Sequence, residues 1–412
     1  MKVLLTCLEY PPFVGGVATA VSRLAQGLVA AGDEVRVISR DVSDSRPATV
    51  GVVTRSSVDG ITVHSFTRRM MALPHLSLMR RTVNEVADEF RPDIVHSYYV
   101  WPAGLVGQLC SSRLGVPHVI SCRGADLTEE GLECPGRVHQ FLRRADCVTT
   151  VASSLGDWVR VMAGVENSVF VPNSICPNYF ERAAYPKTEM RRDYGLPTAA
   201  TVVGAIHSFR WKKAPDYLIE LVTEIGRSDL PDVVFVLAGL YEGEFADELR
   251  RRFEGTGSAK RERRVLVFSK LDRSELPRVL SALDLFILPS RHEGMSNVML
   301  ESLASGTPVA ATDVDGATDV LKDQTAGLLL DRFDPLVASR QVGELLADPA
   351  RLARMAAACR PLIESNYLLE HEVGTLRTLY QGLIEARAGR GASDVSESLR
   401  NRSSRTDLQV PL

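Results

Sequence analysis

Short apolar, β-branched runs alternate with helical patterns along most of this 412-residue chain. The clearest helical pattern, Val17–Ala31, follows the apolar run Val3–Leu8 and ends before Gly32. Strands that alternate with helices form parallel sheets whose two faces are covered by those helices. The pattern therefore predicts an α/β fold. In the first half of the chain the predicted strands are Val3–Leu8, Val35–Ser39, Ile61–Phe66, Ile94–Tyr98, His118–Cys122, Cys147–Ala152 and Ser168–Val171.

A polar connector marked by prolines, Pro172–Arg192, separates this series from a second one. Two series predict two doubly wound, Rossmann-like domains with a cleft between them, at the carboxyl ends of the strands, where such sheets bind ligands. We expect domains at 1–178 and 179–360, a helix over 361–388, and a disordered tail over 389–412, which has few apolar residues. The predicted strands of the second domain are Thr201–Ile206, Val233–Ala238, Val265–Ser269, Leu285–Pro289, Pro308–Thr312 and Gly327–Leu330.

The charge balance and the missing motifs exclude several classes of protein. The formal net charge of −3 provides no basic field for nucleic acid. Neither Gly-x-Gly-x-x-Gly nor Gly-x-x-x-x-Gly-Lys-Ser/Thr occurs, which disfavours a dinucleotide-dependent oxidoreductase and a P-loop enzyme. The eight histidines contain no His-x-x-x-His pair and the seven cysteines no Cys-x-x-Cys pair. We therefore expect neither a metal ion nor a cofactor.

The stretch Arg291–Pro308 carries the most specific candidate site. Glu293 and Glu301 stand with seven residues between them, and the polar turn Gly294–Asn297 leads from a predicted strand into a predicted helix. Helix N–H groups can hold a phosphate, and carboxylates can hold a polyol. A nucleotide sugar contains both groups. The alternative is a pair of ordinary surface glutamates on a helix.

A basic loop follows the first predicted strand of the second domain. It contains Arg210, Lys212 and Lys213, at a strand end where fixed positive charge can stabilise a diphosphate. We expect Lys213 to face inward, with Lys212 as the second choice. The alternative is a solvated loop.

Polar loops of the first domain supply further candidates. Gly15 and Gly16 separate the first strand from the first helix and would let backbone N–H groups approach an anion. Arg123 and Asp126 follow another strand, and His96 lies near the end of a third. For the glycines the alternative is a simple tight turn, and for His96 it is a structural histidine.

Together these motifs resemble those of the family 4 retaining glycosyltransferases, the group 1 glycosyl transferases of GT-B architecture. The resemblance covers about residues 1–385. It implies metal-independent transfer of a sugar from a nucleoside-diphosphate sugar, UDP- or GDP-linked, to an unknown acceptor in glycan, glycolipid or metabolite biosynthesis. The segments that carry it are P-P-F-V-G-G-V, P-D-I-V-H, R-G-A-D, F-V-P-N-S, F-R-W-K-K-A and H-E-G-M-S-N-V-M-L-E-S-L-A-S-G-T-P-V-A.

The resemblance also implies roles for individual residues. Gly16 would donate its N–H to the diphosphate, Arg210 and Lys213 would neutralise it, Glu293 would contact the sugar, and Glu301 would bind the ribose hydroxyls. The helix over 361–388 would return to the first domain. Further donor contacts are implied for Gly15, Lys212, Gly294, Met295, Ser296 and Asn297.

The chain departs from the family pattern in both domains. Arg123 and Gly124 stand where the family often has His-Gly, so Arg123 replaces a sugar-contacting histidine and could contact phosphate or acceptor instead. His96 and Asp126 are candidates for the acceptor or sugar side. In the basic loop, His207 and Ser208 stand where the family usually has Gly-Arg, and Arg210 is the substitute.

One segment of the first domain is suited to a membrane surface. Residues 68–81 place basic pairs around a centre rich in methionine and leucine. Such a segment can lie on the inner face of an anionic membrane that carries a lipid-linked acceptor. The alternative is a loop and helix with solvated ends. Since no run of about 18 apolar residues occurs, we expect a cytoplasmic protein.

Two other enzyme activities occur on this fold. A nucleotide-sugar epimerase would form an epimer of its substrate without an acceptor. A phosphorylase would require inorganic phosphate. Both activities are alternatives to glycosyl transfer.

Overall fold

The computed structural model describes residues 1–40, 54–66, 76–206, 210–227, 232–239, 248, 265–268 and 271–389. They form two compact units, one built from Met1–Asn173 and the segment that begins at Leu369, the other from Ser174–Leu368. The first boundary thus follows Asn173, whereas the sequence analysis placed it after residue 178. The predicted membrane segment 68–81 and the predicted tail lie largely outside the described residues.

An eight-stranded sheet forms the centre of the first unit. Its strands are β1 (Lys2–Thr6), β2 (Glu34–Arg40), β3 (Thr54–Val58), β4 (Ile61–Phe66), β5 (Ile94–Tyr98), β6 (His118–Cys122), β7 (Cys147–Thr150) and β8 (Val169–Phe170). They lie in the order β3-β4-β2-β1-β5-β6-β7-β8, and the described pairings are parallel except that of β3 with β4. The strand order therefore reverses between β1 and β5.

Helices cover the first sheet, which explains why β5 and β6 are buried along their whole length. Apolar side chains of the helices over Leu76–Phe90 and Ala103–Leu114 pack on one side, among them Val83, Phe90, Val106 and Cys110. The helices that precede the second unit are α1 (Gly16–Ala30), α2 (Leu76–Phe90), α3 (Ala103–Leu114), α4 (Ala125–Thr128), α5 (Glu130–Glu133), α6 (Pro135–Arg144) and α7 (Ser153–Ala163).

The second unit contains a six-stranded sheet whose described pairings are all parallel. Its strands are β9 (Thr201–Ile206), β10 (Val233–Ala238), β11 (Val265–Phe268), β12 (Leu285–Leu288), β13 (Val309–Thr312) and β14 (Gly327–Leu330). The order β11-β10-β9-β12-β13-β14 is that of a doubly wound, Rossmann-like sheet, with its reversal between β9 and β12.

A helical layer of the second unit buries a large apolar core. Leu218, Leu221, Val342 and Leu345 are fully buried at the contact between two helices that cover this sheet. The described part of this unit contains the helices α8 (Tyr179–Ala183), α9 (Lys187–Asp193), α10 (Pro215–Arg227), α11 (Leu276–Ala282), α12 (Asn297–Ala304), α13 (Asp315–Leu321), α14 (Pro335–Leu346) and α15 (Pro349–Asn366), together with a 3₁₀ turn at Trp211–Lys213.

The last described helix, α16 (Leu369–Arg387), belongs to the first unit. The sequence analysis predicted one helix over 361–388, but the structure breaks it, since Tyr367 has a non-helical backbone after Asn366. No glycine marks this break in the sequence. Tyr380 of α16 lies 2.6 Å from His96 on β5, which ties the helix to the sheet.

The predicted α/β class and the two doubly wound sheets are confirmed. Every predicted strand agrees with an observed one to within two residues at either end. β3 was not predicted, because Thr-Arg-Ser-Ser-Val contains no apolar run. Its side chains are mostly exposed, so hydrophobic pattern could not reveal it.

Candidate functional site

The second sheet brings Lys213 and Glu293 together at its point of reversal. Lys213 ends the 3₁₀ turn that follows β9, and Glu293 lies in the loop that follows β12. Because β9 and β12 are parallel neighbours, both loops leave the sheet at the same edge. Ligands of open α/β sheets bind at such a point.

Lys213 and Glu293 form a buried ion pair. The Lys213 ammonium donates to Glu293 Oε1, and each side chain is 10% exposed. Ser290 Oγ donates to the same oxygen at 3.3 Å. Burial, together with the charge of Lys212, lowers the pKa of Lys213 to about 7. The Glu293 carboxylate opposes this decrease, because a neighbouring negative charge favours the protonated lysine. The site thus holds a cation and an anion that are poorly solvated.

The basic loop and the Glu293 loop are joined through their backbones. The Arg291 N–H donates to the Lys212 carbonyl at 2.9 Å, and the Arg291 guanidinium lies 5.0 Å from the centre of the Trp211 ring. Lys212 is half-buried and Arg210 is exposed. Lys213 therefore faces inward, as predicted. Residues 207–209, which precede this loop, lie outside the described residues.

The turn after Glu293 leads into the start of α12. Gly294, Met295 and Ser296 are buried, and Asn297 is half-buried as the first helical residue. Ser296 has an extended backbone, and its carbonyl accepts the Leu300 N–H at 3.3 Å. N–H groups in the first turn of a helix have no carbonyl partner within the helix, so this end attracts anions.

The start of α13, the helix after the neighbouring strand β13, contacts this turn. Asp315 Oδ2 accepts the Glu293 N–H at 2.9 Å, and the Gly316 N–H donates to the Gly294 carbonyl at 2.9 Å. A Cβ at Gly316 would lie 2.4 Å from the Gly294 oxygen. The sequence analysis did not identify Asp315, because nothing in the spacing of this loop relates it to Glu293.

Glu301 lies in the interior of α12 and is only 3% exposed. Its Oε1 accepts a hydrogen bond from Arg273 Nη2 at 3.1 Å, and the Arg273 side chain is 45% exposed. Arg273 was missed by the sequence analysis, since it lies in the turn before α11 and belongs to no motif. The arginine covers the carboxylate that was predicted to bind ribose.

The glycine pair of the first unit lies at the start of α1. Gly15 has an extended backbone, and a Cβ there would lie 2.9 Å from the Glu9 carboxylate, so a larger residue would displace this side chain. Gly16 is exposed. A carboxylate beside this turn disfavours a bound anion, and contact of Gly15 and Gly16 with a diphosphate stays a prediction.

Asp126 stabilises its own loop. It is fully buried, and its carboxylate accepts the N–H groups of Arg123 at 2.9 Å and Gly124 at 2.9 Å. Burial raises the pKa of Asp126 to about 6, although these N–H groups oppose the increase. The Arg123 guanidinium lies 4.7 Å from the centre of the Tyr98 ring and donates to the Asn173 side chain. Asp126 therefore holds the backbone of the Arg123 loop, and its contact with acceptor or sugar stays a prediction.

Hydrogen bonds also hold the His96 ring inside the first unit. The side chain is fully buried, Nδ1 lies 2.6 Å from the Tyr380 hydroxyl, and Nε2 lies 3.0 Å from Ser121 Oγ. Burial lowers the pKa of His96 to about 3, so the ring is neutral. Both nitrogens have hydrogen-bond partners, and contact of His96 with the acceptor or sugar stays a prediction.

The described residues contain neither a candidate metal centre nor a helix that could cross a membrane. Within them, no group of three or more His, Cys, Asp or Glu side chains could hold a metal ion. In the same part of the chain, no helix has the length and apolar character needed to cross a membrane.

Two family models match this sequence. The glycosyl transferase 4-like domain matches residues 15–174, and the model of glycosyl transferases group 1 matches residues 186–360. Together they cover most of both units and include the basic loop and both glutamates.

Individual relatives and a solved structure agree with the family models. A D-inositol 3-phosphate glycosyltransferase from Salinispora arenicola is 28% identical over 399 residues, 90% of this chain and 88% of the relative. A 2-deoxystreptamine N-acetyl-D-glucosaminyltransferase from Streptomyces fradiae is 29% identical over 68% of each chain. The structure of Anabaena Alr3699/HepE in complex with UDP and glucose matches 92% of this chain and 99% of its own, with a TM-score of 0.73 and 16% identity.

Proposed function

Because this chain belongs to the group 1 glycosyl transferases and has their GT-B fold, we propose that it transfers a sugar, with retention, from a UDP-linked donor to a cyclitol hydroxyl. The observation that carries this proposal is the buried Lys213–Glu293 pair at the reversal point of the second sheet. A cation and a carboxylate in contact can bind the diphosphate and the sugar of one donor molecule.

The charged candidate residues of the second unit then each have a role. Lys213 neutralises the charge that develops on the leaving diphosphate, and Arg210 assists from the exposed start of the same loop. Glu293 accepts hydrogen bonds from the sugar, and Glu301 from the ribose. Fixed donors of this kind contribute about 3 kcal/mol each to transition-state stabilisation. Since lysine and arginine supply the positive charge, transfer is proposed to proceed without a metal ion.

The choice of UDP is supported by a structure of the same fold. Anabaena HepE has been solved with UDP and glucose and with UDP-glucose. GDP is the alternative that the family resemblance leaves open.

The choice of acceptor is supported by the names of the two relatives. One acts on D-inositol 3-phosphate and the other on 2-deoxystreptamine. The first compound carries a phosphate and the second carries amino groups, so the polyhydroxylated cyclohexane ring is what they share. A hydroxyl of such a ring is therefore the proposed attacking group.

Binding of UDP is the first test of the donor site. UDP is expected to raise the melting temperature more than GDP, ADP, CMP or NAD, since a ligand at about 100 times its Kd adds about 2.7 kcal/mol to the free energy of unfolding. In titration calorimetry, Glu301→Ala should weaken UDP binding about 10- to 100-fold, because a charged hydrogen-bond acceptor is lost.

The control for this experiment is Glu364→Ala, which removes an exposed carboxylate paired with Arg360 and should leave UDP binding unchanged. Stabilisation by NAD alone, or equal UDP affinity in both variants, would contradict the donor site.

Turnover with cyclitols then tests the acceptor. An epimer of the donor formed without acceptor, or an absolute need for inorganic phosphate, would indicate one of the alternative activities.

Binding of UDP is expected to depend on pH through Lys213. Burial lowers the pKa of this lysine to about 7, so the ammonium loses its proton as the pH rises through that value. The diphosphate needs the charged form, and affinity should therefore fall above pH 7, approaching about tenfold per pH unit. Lys213→Arg, which stays charged, should bind UDP with an affinity that is flat from pH 7 to 9. A wild-type affinity that is constant over this range would refute the role of Lys213.

A further inference from the structure

Asp315 lies at an unusual place in the backbone of the second unit. It is the first residue of α13, after β13, and its φ angle is 44°. This is the left-handed region, which glycine adopts readily and other residues rarely do, although aspartate tolerates it better than most. Backbone conformation therefore favours glycine here, and what aspartate adds is a carboxylate.

That carboxylate is used on the Glu293 loop. Asp315 Oδ2 accepts the Glu293 N–H at 2.9 Å, across a gap of 22 residues in the sequence. The next residue, Gly316, donates its N–H to the Gly294 carbonyl at 2.9 Å. The first two residues of α13 thus bind the backbone of two consecutive residues, Glu293 through its N–H and Gly294 through its carbonyl.

The opposite side of Glu293 is held through its side chain. Lys213 and Ser290 both donate to Oε1. The Glu293 carboxylate is therefore aimed by contacts to its oxygen, while its main chain is fixed by Asp315. Loss of the side-chain contacts, or of the backbone contact with Asp315, would let the carboxylate move relative to β12.

We propose that Asp315 is a positioning residue for the transfer reaction, which holds the Glu293 backbone so that the carboxylate meets the donor sugar. This inference rests on the proposed role of Glu293 as the sugar contact. Asp315 acts through the Glu293 N–H and does not itself touch the substrate.

The test compares Asp315→Gly with Asp315→Asn. Glycine suits the left-handed backbone but removes the acceptor, whereas asparagine keeps an oxygen acceptor and also tolerates this conformation. The control is Gln324→Gly, at an exposed turn of the same unit with φ 54°. Two properties are measured for each variant: hydrogen exchange of the peptide 290–296, and kcat and donor KM with UDP-sugar.

Asp315→Gly is expected to exchange faster over 290–296 and to lose about 10- to 100-fold in kcat, with donor KM within about threefold and an unchanged or higher melting temperature. Asp315→Asn should keep most of the protection of residues 290–296 against hydrogen exchange and most of kcat. Gln324→Gly should match the wild type in both properties. Unchanged exchange in Asp315→Gly, or an equal loss in Asp315→Asn, overturns the inference. Absence of turnover in the wild type with any nucleotide sugar would instead refute the proposed function, and the exchange data would still decide whether Asp315 holds the loop.

Discussion

Lys213→Ala is expected to lower kcat by about 100- to 1,000-fold, because it removes the fixed charge nearest to the leaving diphosphate. The same change leaves the Glu293 carboxylate, 10% exposed, without the lysine that neutralises it. Breaking a buried ion pair in this way typically costs about 3–5 kcal/mol of stability. The loss of rate must therefore be separated from a loss of folded protein.

A double variant makes that separation. Lys213→Ala combined with Glu293→Gln removes both charges, so we expect it to regain stability, with a kcat well below that of Glu293→Gln alone. Lys322→Ala serves as the matched control, since Lys322 is an exposed lysine of the same unit. Melting temperature and steady-state kinetics are measured for all four variants. If kcat recovered in the double variant, the role of Lys213 would be structural only.

Gly316→Ala is expected to have the second-largest effect. A Cβ at this position would lie 2.4 Å from the Gly294 oxygen and 3.0 Å from Met295 Cα, and both are backbone atoms that cannot rotate away. Forced shifts in a packed region cost about 1–3 kcal/mol. Since the displaced residues directly follow Glu293, a movement of about 1 Å should also lower kcat by about 100-fold.

The control is a glycine-to-alanine substitution at a position where the added Cβ has open space around it. Gly374 lies exposed within α16, and a Cβ there meets nothing within 4 Å. Gly374→Ala should stabilise the protein by about 0.5–1 kcal/mol without affecting kcat. Chemical denaturation and kinetics of both variants provide the measurement. Wild-type activity in Gly316→Ala would show that the loop after β13 does not constrain the Glu293 turn.

The fold was predictable wherever burial on both faces of a sheet produces continuous apolar runs. β5, β6, β9 and β10 were predicted with the bounds that the structure shows. The exposed edge strand β3 was not, because its stability depends on pairing with β4, and pairing leaves no mark in its own composition. The break between α15 and α16 was likewise hidden, since no glycine marks it.

The candidate site was predictable in the same uneven way. Glu293 and Lys213 were identified because each follows a strand of recognisable pattern, and the ends of parallel strands meet at one edge. His96 follows the same rule, yet its ring points into the interior and binds Tyr380, a residue from the far end of the chain. A strand pattern places a residue along the sheet, but it does not show whether the side chain is already bonded to another part of the protein.

Residue type and order along the chain were sufficient to establish the α/β class, the family and the two glutamates, because these depend on local periodicity and short motifs. Contacts between distant segments assigned the remaining roles. Arg273 covers Glu301, and Asp315 holds Glu293. Both bonds join groups whose distance is set by packing, and no spacing in the sequence encodes it. Local pattern therefore identifies the groups that carry charge, and tertiary packing determines which of them are paired, buried and aimed.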